Sequence, residues 1–463
     1  MLFVILFYKS LSSKPGGDGK NLPPSPPKLP ILGNLHQLDL LLIVLFDHCL
    51  DDMARPKLRT ATSIFNDNKD IGFSPSGEYW RRLRGICVMQ LLNNKKVQSF
   101  RAIREEEVAE VVEKFNRSGS SAVNFTEIVL SYTYDVVCRA SFGRKYSENH
   151  ERGINFKDIL DEATRLLGTF ILGDFVPCLS WIDRVKGLEG RLEKVVQDLD
   201  AFLDKVIKEH QSHLSSRKNI LIESDNESFV DILLEVHMSN KHDMSLDSIK
   251  AVILDMFLAG TDTTYMLIEW VVVELIRNPI VMKELQEEVR RIVGGKGRKV
   301  CEDGLEKMSY LKAVMKEALR LHPPSPLLLF RESVQDAKIN GFDITAGTLV
   351  IINVWAIQRD SIYWEEPEQF RPERFLNDSN SSSSVDFRGQ DFQYIPFGAG
   401  RRGCPGISFG MVAAELVIAT LINEFELKLP GGIQGDELDM TEIAGLTVRR
   451  RDPLMVIASP HAF

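Results

Sequence analysis

The sequence predicts a single large domain that is mainly α-helical and has a small β component. Apolar residues recur at helical spacing through most of residues 79–278, for example over 97–115 and 188–210, and again over 408–423. Short β-branched runs occur near residues 338–354. No Pro- or Gly-rich linker divides this body, so one domain is favoured although 463 residues would allow two or three.

The overall composition excludes several classes of protein. The formal net charge is −9, which argues against nonspecific binding of nucleic acid through a basic surface. The six cysteines are scattered without a C-x-x-C pair, so they indicate neither a disulfide framework nor a zinc knuckle. A reducing compartment is therefore expected, with most of the cysteines acting as buried apolar side chains.

The first 30 residues differ in composition from the rest of the chain. Residues 1–8 (MLFVILFY) are apolar but would extend only ~12 Å as a helix, against a hydrocarbon core of ~30 Å. They are either the remainder of a longer membrane anchor or a frayed terminus, and they lack the charged start and cleavage site of a secretory signal. Closely spaced prolines over residues 21–30 force extended backbone, which indicates a stiff hinge.

The predicted β component lies between the helical regions. Residues 338–344 and 348–354 are short, contain β-branched side chains and are separated by a turn that contains glycine. These features are typical of a β-hairpin, so the two runs are expected to pair with each other.

One long predicted helix, residues 245–278, carries polar groups at its centre. Ser245 is the expected N-cap and Pro279 prevents continuation, so the helix would be about 50 Å long. Both halves are strongly apolar, yet residues 259–264 are AGTDTT, and threonine hydroxyls can bond back to the i−4 carbonyl and distort a helix. Polar residues at the centre of an otherwise apolar helix indicate either a functional groove or a polar stripe that faces a neighbouring helix.

Residues 397–406 (FGAGRRGCPG) form a glycine-rich loop with a cysteine, followed directly by a predicted helix. The loop has neither the G-K-[ST] of a phosphate loop nor the G-x-G-x-x-G of a dinucleotide site. Glycines allow a close approach to a flat ligand, and the dipole and free amides of a helix N-terminus stabilise a thiolate. Cys404 is therefore a candidate thiolate ligand, and Arg402 can pair with an anionic group on the same ligand.

This loop resembles the haem-thiolate loop of the cytochrome P450 superfamily, F-G-x-G-x-R-x-C-P-G. Three further motifs occur in that family's order, namely AGTDT at 259–263, E-x-x-R at 317–320 and PERF at 372–375. In detail the chain resembles the plant A-type members, close to family 71. The features that carry this closer resemblance are the proline hinge, WRRLR at 80–84, LHPP at 321–324, WAI at 355–357 and IPFGAGRR at 395–402.

The resemblance implies roles for named residues. Cys404 would be the axial thiolate ligand of the iron in haem b. The other haem-binding residues would be Trp80, Arg84, Arg331 and Arg402, at the acid groups of the haem, and Phe397 in the loop. Thr263 and Asp262 would deliver protons during cleavage of bound dioxygen. A buried charge network with a structural role would consist of Glu317, Arg320 and Arg374.

The resemblance also implies the reaction, which is insertion of one oxygen atom from O2 into a small lipophilic plant metabolite such as a terpenoid or an indolic compound. Electrons would come from NADPH through a separate reductase, because this chain has no dinucleotide fingerprint. The basic residues expected to contact that reductase are Arg81, Arg82 and Arg401. By family position, the substrate pocket would be lined by parts of residues 55–74, 253–264, 325–329 and 444–447, which are mostly apolar.

The implied location is the cytosolic face of the endoplasmic reticulum membrane, and a soluble cytoplasmic protein is the alternative. Residues 1–20 would be a truncated anchor and linker, 21–30 the hinge and 31–463 the haem-binding monooxygenase domain. No nucleic-acid partner is expected.

The largest departure from the family lies near residues 39–54. Relatives carry a first helix and the opening strands of a sheet there, so a few dozen residues are expected to be missing, and residues 348–354 are expected to lack strand partners. Two rival functions remain open. One is a non-catalytic or unstable product of a truncated gene. The other is a haem-thiolate dehydratase or isomerase that uses no oxygen, against which the presence of both Asp262 and Thr263 argues.

Overall fold

The computed structural model describes residues 53–146, 156–217, 227–239, 244–295, 297–339, 341–376, 385–443 and 445–461. The predicted anchor (1–20), the hinge (21–30) and nearly all of the segment 39–54 lie outside these residues. Within the described residues helices dominate and strands are few and short, so the predicted mainly α fold with a small β component is confirmed.

The helices follow the apolar periodicity of the sequence and begin and end at recognisable caps. Ser228 and Ser245 each accept a hydrogen bond from a backbone N–H three residues later, whereas Gly143 and Gly294 end helices in the left-handed conformation. The α-helices in chain order are α1 (Arg59–Ile64), α2 (Glu78–Ile86), α3 (Asn94–Ser99), α4 (Arg101–Ser118), α5 (Phe125–Phe142), α6 (Phe156–Leu167), α7 (Leu172–Phe175), α8 (Ser180–Val185), α9 (Leu188–Arg217), α10 (Phe229–Met238), α11 (Leu246–Gly260), α12 (Asp262–Arg277), α13 (Pro279–Val293), α14 (Glu302–Leu305), α15 (Ser309–Leu321), α16 (Val354–Ile357) and α17 (Ile407–Glu424).

The strands of the described residues form small antiparallel sheets. One sheet has the order β1-β3-β6, a second has the order β2-β10-β7, and two pairs stand apart, β4 with β5 and β8 with β9. The strands are β1 (Met53–Ala54), β2 (Val123–Asn124), β3 (Arg331–Ser333), β4 (Ala337–Ile339), β5 (Phe342–Ile344), β6 (Leu349–Val350), β7 (Phe425–Lys428), β8 (Glu442–Ile443), β9 (Arg449–Arg450) and β10 (Met455–Pro460).

The predicted hairpin between residues 338–344 and 348–354 is wrong. The first run forms a hairpin on its own, in which Ile339 of β4 pairs with Phe342 of β5. The second run supplies β6, which pairs with β3, and β3 pairs on its other side with β1. The expectation that residues 348–354 lack a partner is therefore wrong as well. A local β pattern predicts that a strand forms, but tertiary packing decides which strand it pairs with.

The long predicted helix is divided at Thr261 into α11 and α12, at the centre of the AGTDTT run. Thr263 Oγ1 donates to the backbone oxygen of Ala259 over 2.6 Å, which is the back-bond that the sequence suggested. Ser245 caps the start of α11, and Pro279 begins the next helix, as predicted. The polar centre of the helix therefore lies at a local irregularity at Thr261, whose own backbone stays in the right-handed helical region (φ −83°, ψ −63°).

Two helical segments of the described residues, Leu246–Arg277 and Ile407–Glu424, are long and apolar enough to cross a membrane by length and composition alone. However, 72% and 67% of their most apolar stretches are buried inside the protein. The second half of the first segment, α12, packs against α17, which is the second. These helices are therefore core elements, and the cavity described next lies against them.

Candidate active site

A cavity of about 300 Å³ lies between the break in the central helix, the cysteine loop and the start of α17. Its wall is mainly apolar, and it contains parts of all four predicted pocket segments, namely residues 55–73, 255–264, 325–329 and 446–447. The predicted site residues that also line this cavity are Arg84, Thr263, Arg331, Phe397, Arg402 and Cys404. The structure thus brings together residues from distant parts of the chain.

The loop before α17 turns sharply at two glycines. Gly398 and Gly400 have φ angles of +71° and +68°, in the left-handed region that favours glycine. The N–H of Cys404 donates to the backbone oxygen of Phe397 over 2.9 Å, and the N–H of Gly403 donates to the oxygen of Gly400 over 3.0 Å. These bonds close the loop and hold Cys404 at the cavity wall.

The protonation state of Cys404 depends on its surroundings in the cavity. Its side chain is accessible from the cavity, but the protein atoms packed around it desolvate the thiol. Burial raises the pKa of this thiol, while the amide of Gly406 and the charge of Arg84 lower it. In the protein alone, desolvation therefore outweighs the helix-terminus effect that the sequence predicted. A metal cation bound at the sulfur would reverse the balance, because a coordinating thiol is deprotonated outright.

Four arginines, Arg55, Arg84, Arg331 and Arg402, line this cavity, and we call them the arginine cluster. Arg402 Nη2 donates to the backbone oxygen of Ser74 over 2.8 Å, but its Nε is buried and has no hydrogen-bond partner among the described residues. Burial, and then repulsion from Arg331 and Arg84, lowers the pKa of Arg402 to about 10. Like charges held this closely need anions, so the cluster fits a prosthetic group with two carboxylates, as haem b has.

Arg55 is a cavity residue that the sequence motifs did not single out. Its guanidinium donates to the backbone oxygens of Leu329, Phe330 and Gly72 over 2.6, 2.9 and 2.9 Å. Burial, and then repulsion from Arg331 and other members of the cluster, lowers the pKa of Arg55 to about 9. An Arg-Pro pair carries no motif of its own, so the only signal was its position in the predicted pocket segment 55–74.

Arg84 and Arg331 also hold the cysteine loop in place. Arg84 Nη2 donates to the backbone oxygen of Gly403 over 2.6 Å, and Arg331 Nη2 donates to that of Ala399 over 3.3 Å. The ring of Phe397, which starts the loop, also lines the cavity. Both arginines therefore link distant elements, α2 and β3, to the loop that carries the cysteine.

Trp80 takes a different position from the one expected of a direct haem contact. It is absent from the cavity wall of the described residues, and its Nε1 donates to the backbone oxygen of Ile71 over 3.1 Å. Its ring centroid lies 3.8 Å from the guanidinium carbon of Arg402. In this structure the ring of Trp80 packs against the guanidinium of Arg402. A direct bond from Trp80 to an acid group of the haem stays a prediction.

The predicted alcohol–acid pair borders two different cavities. Thr263 lines the large cavity, whereas Asp262 borders a second cavity of about 10 Å³ together with Asp161 and Thr164. Burial, and then repulsion from Asp161, raises the pKa of Asp262 to about 6. The second cavity is about the size that holds one water molecule. The two adjacent residues therefore face different spaces, Asp262 the small cavity and Thr263 the large one.

The structure also brings together Glu317, Arg320 and Arg374, the predicted charge network. Arg320 donates two hydrogen bonds of 2.8 Å to the Glu317 carboxylate, and both side chains are fully buried. Arg374 Nε donates to Oε1 of the same carboxylate over 3.1 Å. Arg320 also donates to the backbone oxygens of Gln358 and Pro367. These contacts satisfy the buried charges and join three separate segments of chain.

Gln358 extends this network toward the cysteine loop. Its side chain is buried, and its Nε2 donates to the backbone oxygens of Leu319 and Arg320 over 3.0 Å each. Its Oε1 accepts a hydrogen bond from the N–H of Ile395 over 3.1 Å. Because Ile395 leads into the loop, Gln358 connects α15 to the cysteine segment. No sequence motif marked this residue.

Comparisons with known proteins agree with this geometry. The chain matches the model of the Cytochrome P450 family over residues 34–456. It is 45% identical over 495 aligned positions to Cytochrome P450 71A6 of Nepeta racemosa, which covers 96% of this chain and 95% of that protein. It is 42% identical over 496 positions to the 3-beta-hydroxylase of Tanacetum parthenium, with coverage of 99% and 95%. The solved structure of a zebra fish cytochrome P450 with progesterone superposes with a TM-score of 0.74 at 24% identity, covering 90% of this chain and 91% of the other.

The alignment with the Nepeta racemosa protein spans 495 positions, although this chain has 463 residues. Some positions of that relative therefore have no counterpart here. The family model and the full-length relatives show the family, while the zebra fish structure shows the fold. Because the family model covers most of the chain and plant relatives match it nearly from end to end, we conclude that this chain belongs to the cytochrome P450 family, close to its family 71, and is a monooxygenase that uses haem b.

Proposed function

We propose that this monooxygenase inserts one oxygen atom from O2 into a small lipophilic plant specialised metabolite, such as a terpenoid or an indolic compound. The observation that carries the proposal is that Cys404 and Thr263 line one cavity whose wall is otherwise mainly apolar. Apart from the arginine cluster and Asp255, this wall is mainly apolar and includes Phe65, Phe73 and Phe229, so it desolvates and orients a lipophilic molecule. The hydroxylase name of the Tanacetum parthenium relative supports the same reaction type.

We expect the haem and the residues of the site to have separate roles in this reaction. When bound, the haem supplies the redox chemistry, with electrons from NADPH through a reductase. Cys404 would hold the iron, and the arginine cluster would neutralise the two acid groups of the haem. Thr263 would hold a water molecule and a proton at the large cavity, and Asp262 would pass protons to it from the second cavity.

The direct test is oxygen transfer from labelled dioxygen. The chain would be expressed in membranes with a plant reductase and supplied with NADPH, ¹⁸O2 and a panel of terpenoid and indolic compounds. The expected result is a product that carries one ¹⁸O atom, formed only when NADPH is present. The substrate class would be wrong if labelled product formed only from charged, water-soluble compounds.

The same assay separates the two rival functions. A dehydratase or isomerase would form product without ¹⁸O and without NADPH, because its reaction needs neither. A non-catalytic product of a truncated gene would take up no haem, which is visible before any substrate is added. The presence of Thr263 at the large cavity and Asp262 beside it favours the oxygen-dependent reaction.

Replacing Thr263 by alanine is expected to separate NADPH consumption from product formation. The alanine variant lacks the hydroxyl at the cavity wall, so proton delivery becomes unspecific and reducing equivalents escape as hydrogen peroxide. Product formation should fall by about 100-fold, the lower end of what a positioned proton donor contributes, while NADPH oxidation continues. The measurement is the ratio of product to NADPH consumed. Thr263→Ser keeps the hydroxyl and should restore the ratio, and equal ratios in both variants would contradict the role.

We propose that the reductase docks against basic residues near the cysteine loop. Arg401 lies in the loop and is exposed, and Arg81 is exposed on α2, the helix whose Arg84 contacts the loop. Arg82, on the same helix, is half-buried. Charge attraction accelerates protein association and weakens as salt increases.

The double variant Arg81→Glu with Arg401→Glu is expected to slow electron transfer from the reductase about tenfold at low salt, within the range of electrostatic steering. The salt dependence of the rate should also become flat. Lys186→Glu, in the connection between α8 and α9, provides a charge-reversal control that should have little effect. An unchanged rate and salt dependence in the double variant would exclude this docking surface.

We propose that residues 1–20 attach the protein to the cytosolic face of the endoplasmic reticulum, that residues 21–30 act as a hinge, and that residues 31–463 form the haem-binding domain. The residues missing relative to the Nepeta racemosa protein would fall near 39–54. Cell fractionation of the full chain and of a variant lacking residues 1–20 tests the attachment, which fails if both distribute equally to the soluble fraction.

A further inference from the structure

Two carboxyl groups, those of Asp70 and Asp255, meet beside the large cavity. Asp70 is fully buried, and Asp255 is 8% exposed and lines the cavity. Both carboxyls lie against Gly72, where a Cβ atom would be 3.3 Å from Oδ1 of Asp255 and 3.3 Å from Oδ2 of Asp70. Two ionised carboxylates buried side by side would repel each other, and an ionised carboxylate can only accept hydrogen bonds, so this geometry favours a proton on one of the two. Neither residue belongs to a recognised motif of the chain.

The hydrogen bonds around Asp70 show the same need for a proton. Its Oδ2 accepts the N–H of Phe73 over 2.6 Å. Its Oδ1 is buried, and no N–H or hydroxyl group of the described residues donates to it. A neutral carboxyl on Asp255 supplies the missing donor, whereas two carboxylates would leave this oxygen unsatisfied and repel each other.

The charges around the pair place this proton on Asp255. Burial raises the pKa of Asp70 to about 6, and Arg402 and Arg55 face this residue and favour its charged form. Burial, and then repulsion from Asp70, raises the pKa of Asp255 well above its ordinary value. At neutral pH the pair therefore holds one negative charge, on Asp70, and one proton, on Asp255.

The other titratable groups that face the pair do not change this balance. Tyr79 and Cys87, both near the carboxyls, are neutral at pH 7, because burial raises the pKa of each. They therefore add neither a cation nor an anion. Among the described residues, the cations that favour the charged form of Asp70 are Arg402 and Arg55 of the arginine cluster.

The pair connects the central helix to residues 70–74. The N–H of Ile71 donates to Oδ2 of Asp255 over 2.7 Å, although the two residues are 184 positions apart. The N–H of Phe73 donates to Asp70 within the same segment. The amides of Ile71 and Phe73 therefore tie residues 70–74 to the two carboxyls, and Ile71 holds this segment against α11.

The carbonyls of the same segment hold residues of the haem site. The backbone oxygen of Ser74 accepts from Arg402 over 2.8 Å, and that of Gly72 accepts from Arg55 over 2.9 Å. The oxygen of Ile71 accepts from Nε1 of Trp80 over 3.1 Å. Residues 70–74 thus contact the carboxyl pair through their N–H groups and the arginine cluster through their oxygens.

An apolar residue at position 255 of α11 could be buried at a lower free-energy cost than a carboxyl group. The neighbouring positions 253, 254, 256 and 258 are all apolar, and burying a carboxyl requires either a proton or a fixed partner. A buried acid pair at a position that an apolar residue could fill is therefore expected to serve a positional role.

We propose that Asp70 and Asp255 share a proton and act together as positioning residues, which clamp residues 70–74 to α11 so that Arg402 and Arg55 are held where the acid groups of the haem bind. The pair does not touch the reacting atoms. This inference uses the haem site itself and does not depend on which substrate the enzyme oxidises.

The test compares two substitutions at position 255 by the rate at which haem leaves the protein. Asp255→Asn keeps the shape, accepts the Ile71 N–H and donates to Asp70 without needing a proton. Asp255→Leu removes both bonds. Transfer of haem to excess apomyoglobin is expected to be about tenfold faster in the leucine variant, which equals about 1.4 kcal/mol, and unchanged within about twofold in the asparagine variant.

A matched control separates positioning from loss of packing. Val252→Ala makes a cavity in the same helix, because Val252 is fully buried, but leaves the bonds of residues 70–74 intact. If Val252→Ala lowers the melting temperature as much as Asp255→Leu and releases haem equally fast, the carboxyl pair has only a structural role and the proposal is overturned.

A pH profile provides a readout that remains if the leucine variant does not fold. Because the folded-state pKa values of the pair are raised, its stabilising effect is complete below the ordinary pKa of aspartate, about 3.9, and is lost as pH rises through the folded values. For Asp70 that value is about 6, and for Asp255 it is higher. Haem release from the wild type should therefore accelerate relative to Asp255→Asn as pH rises above about 6, toward the higher folded value of Asp255. Parallel profiles of the two proteins would overturn the shared proton.

Discussion

Replacement of Cys404 by serine is expected to abolish the thiolate signature of the reduced, carbon monoxide-bound protein and to reduce product formation to background. The serine variant keeps the loop geometry, because the bond from the Cys404 N–H to Phe397 does not involve the side chain. What disappears is the thiolate, which pushes electron density toward the iron and favours O–O cleavage. The measurement is the carbon monoxide difference spectrum of the purified protein, followed by the ¹⁸O2 assay.

Cys301 provides a matched control for this experiment, because it is exposed and does not line the cavity. Cys301→Ser should retain the full spectrum and activity. Retention of the thiolate band in Cys404→Ser would show that another ligand binds the iron. Loss of the band in Cys301→Ser would show that the spectrum reports general damage rather than ligation.

Replacement of Glu317 by glutamine is expected to have the largest effect on stability. The change removes the only carboxylate that the described structure places against Arg320, whose side chain is fully buried. Breaking a buried pair strands the remaining charge and costs about 3–5 kcal/mol. We therefore expect a large loss in the free energy of unfolding and little or no haem-loaded protein at physiological temperature. Denaturant unfolding followed by haem absorbance measures both effects.

The exposed pair of Glu113 and Arg117 on α4 is the control for this substitution, since it has the same chemistry in a solvated setting. Glu113→Gln should cost less than about 1 kcal/mol, as is typical of surface pairs. Similar losses in the two variants would contradict the structural role of the buried network. A stable Glu317→Gln variant that binds haem normally would contradict it as well.

The sequence predicts those parts of the site whose structure depends on residues that are adjacent in the chain. The AGTDTT run predicts the interruption between α11 and α12, because its polar residues and glycine conflict with an apolar helix. The glycine pattern before Cys404 likewise predicts a sharp turn, and Gly398 and Gly400 adopt the left-handed backbone that it requires. In both places the local residues alone determine the local structure.

Features that depend on contacts between distant segments are not predictable in this way. The strand near residue 350 pairs with β3 rather than with the neighbouring run, because sheet pairing is decided by the packing of the whole domain. Arg55 and the pair of Asp70 and Asp255 carry no motif, and their surroundings come from segments far away in the chain. The helix predicted over 97–115 is also divided, since Phe100 separates α3 from α4.

The arginine cluster has a consequence for the abundance of the protein in the cell. Before haem enters, four like charges share one desolvated space that Asp70 neutralises only in part, and the two carboxylates of the cofactor would relieve the remaining cost. A ligand that binds only the folded state stabilises it by mass action, so folding and cofactor loading form one equilibrium. Chains without haem are therefore expected to unfold more often and to be more accessible to proteases. The amount of this enzyme in a tissue should therefore follow the local rate of haem synthesis as well as the level of its messenger RNA.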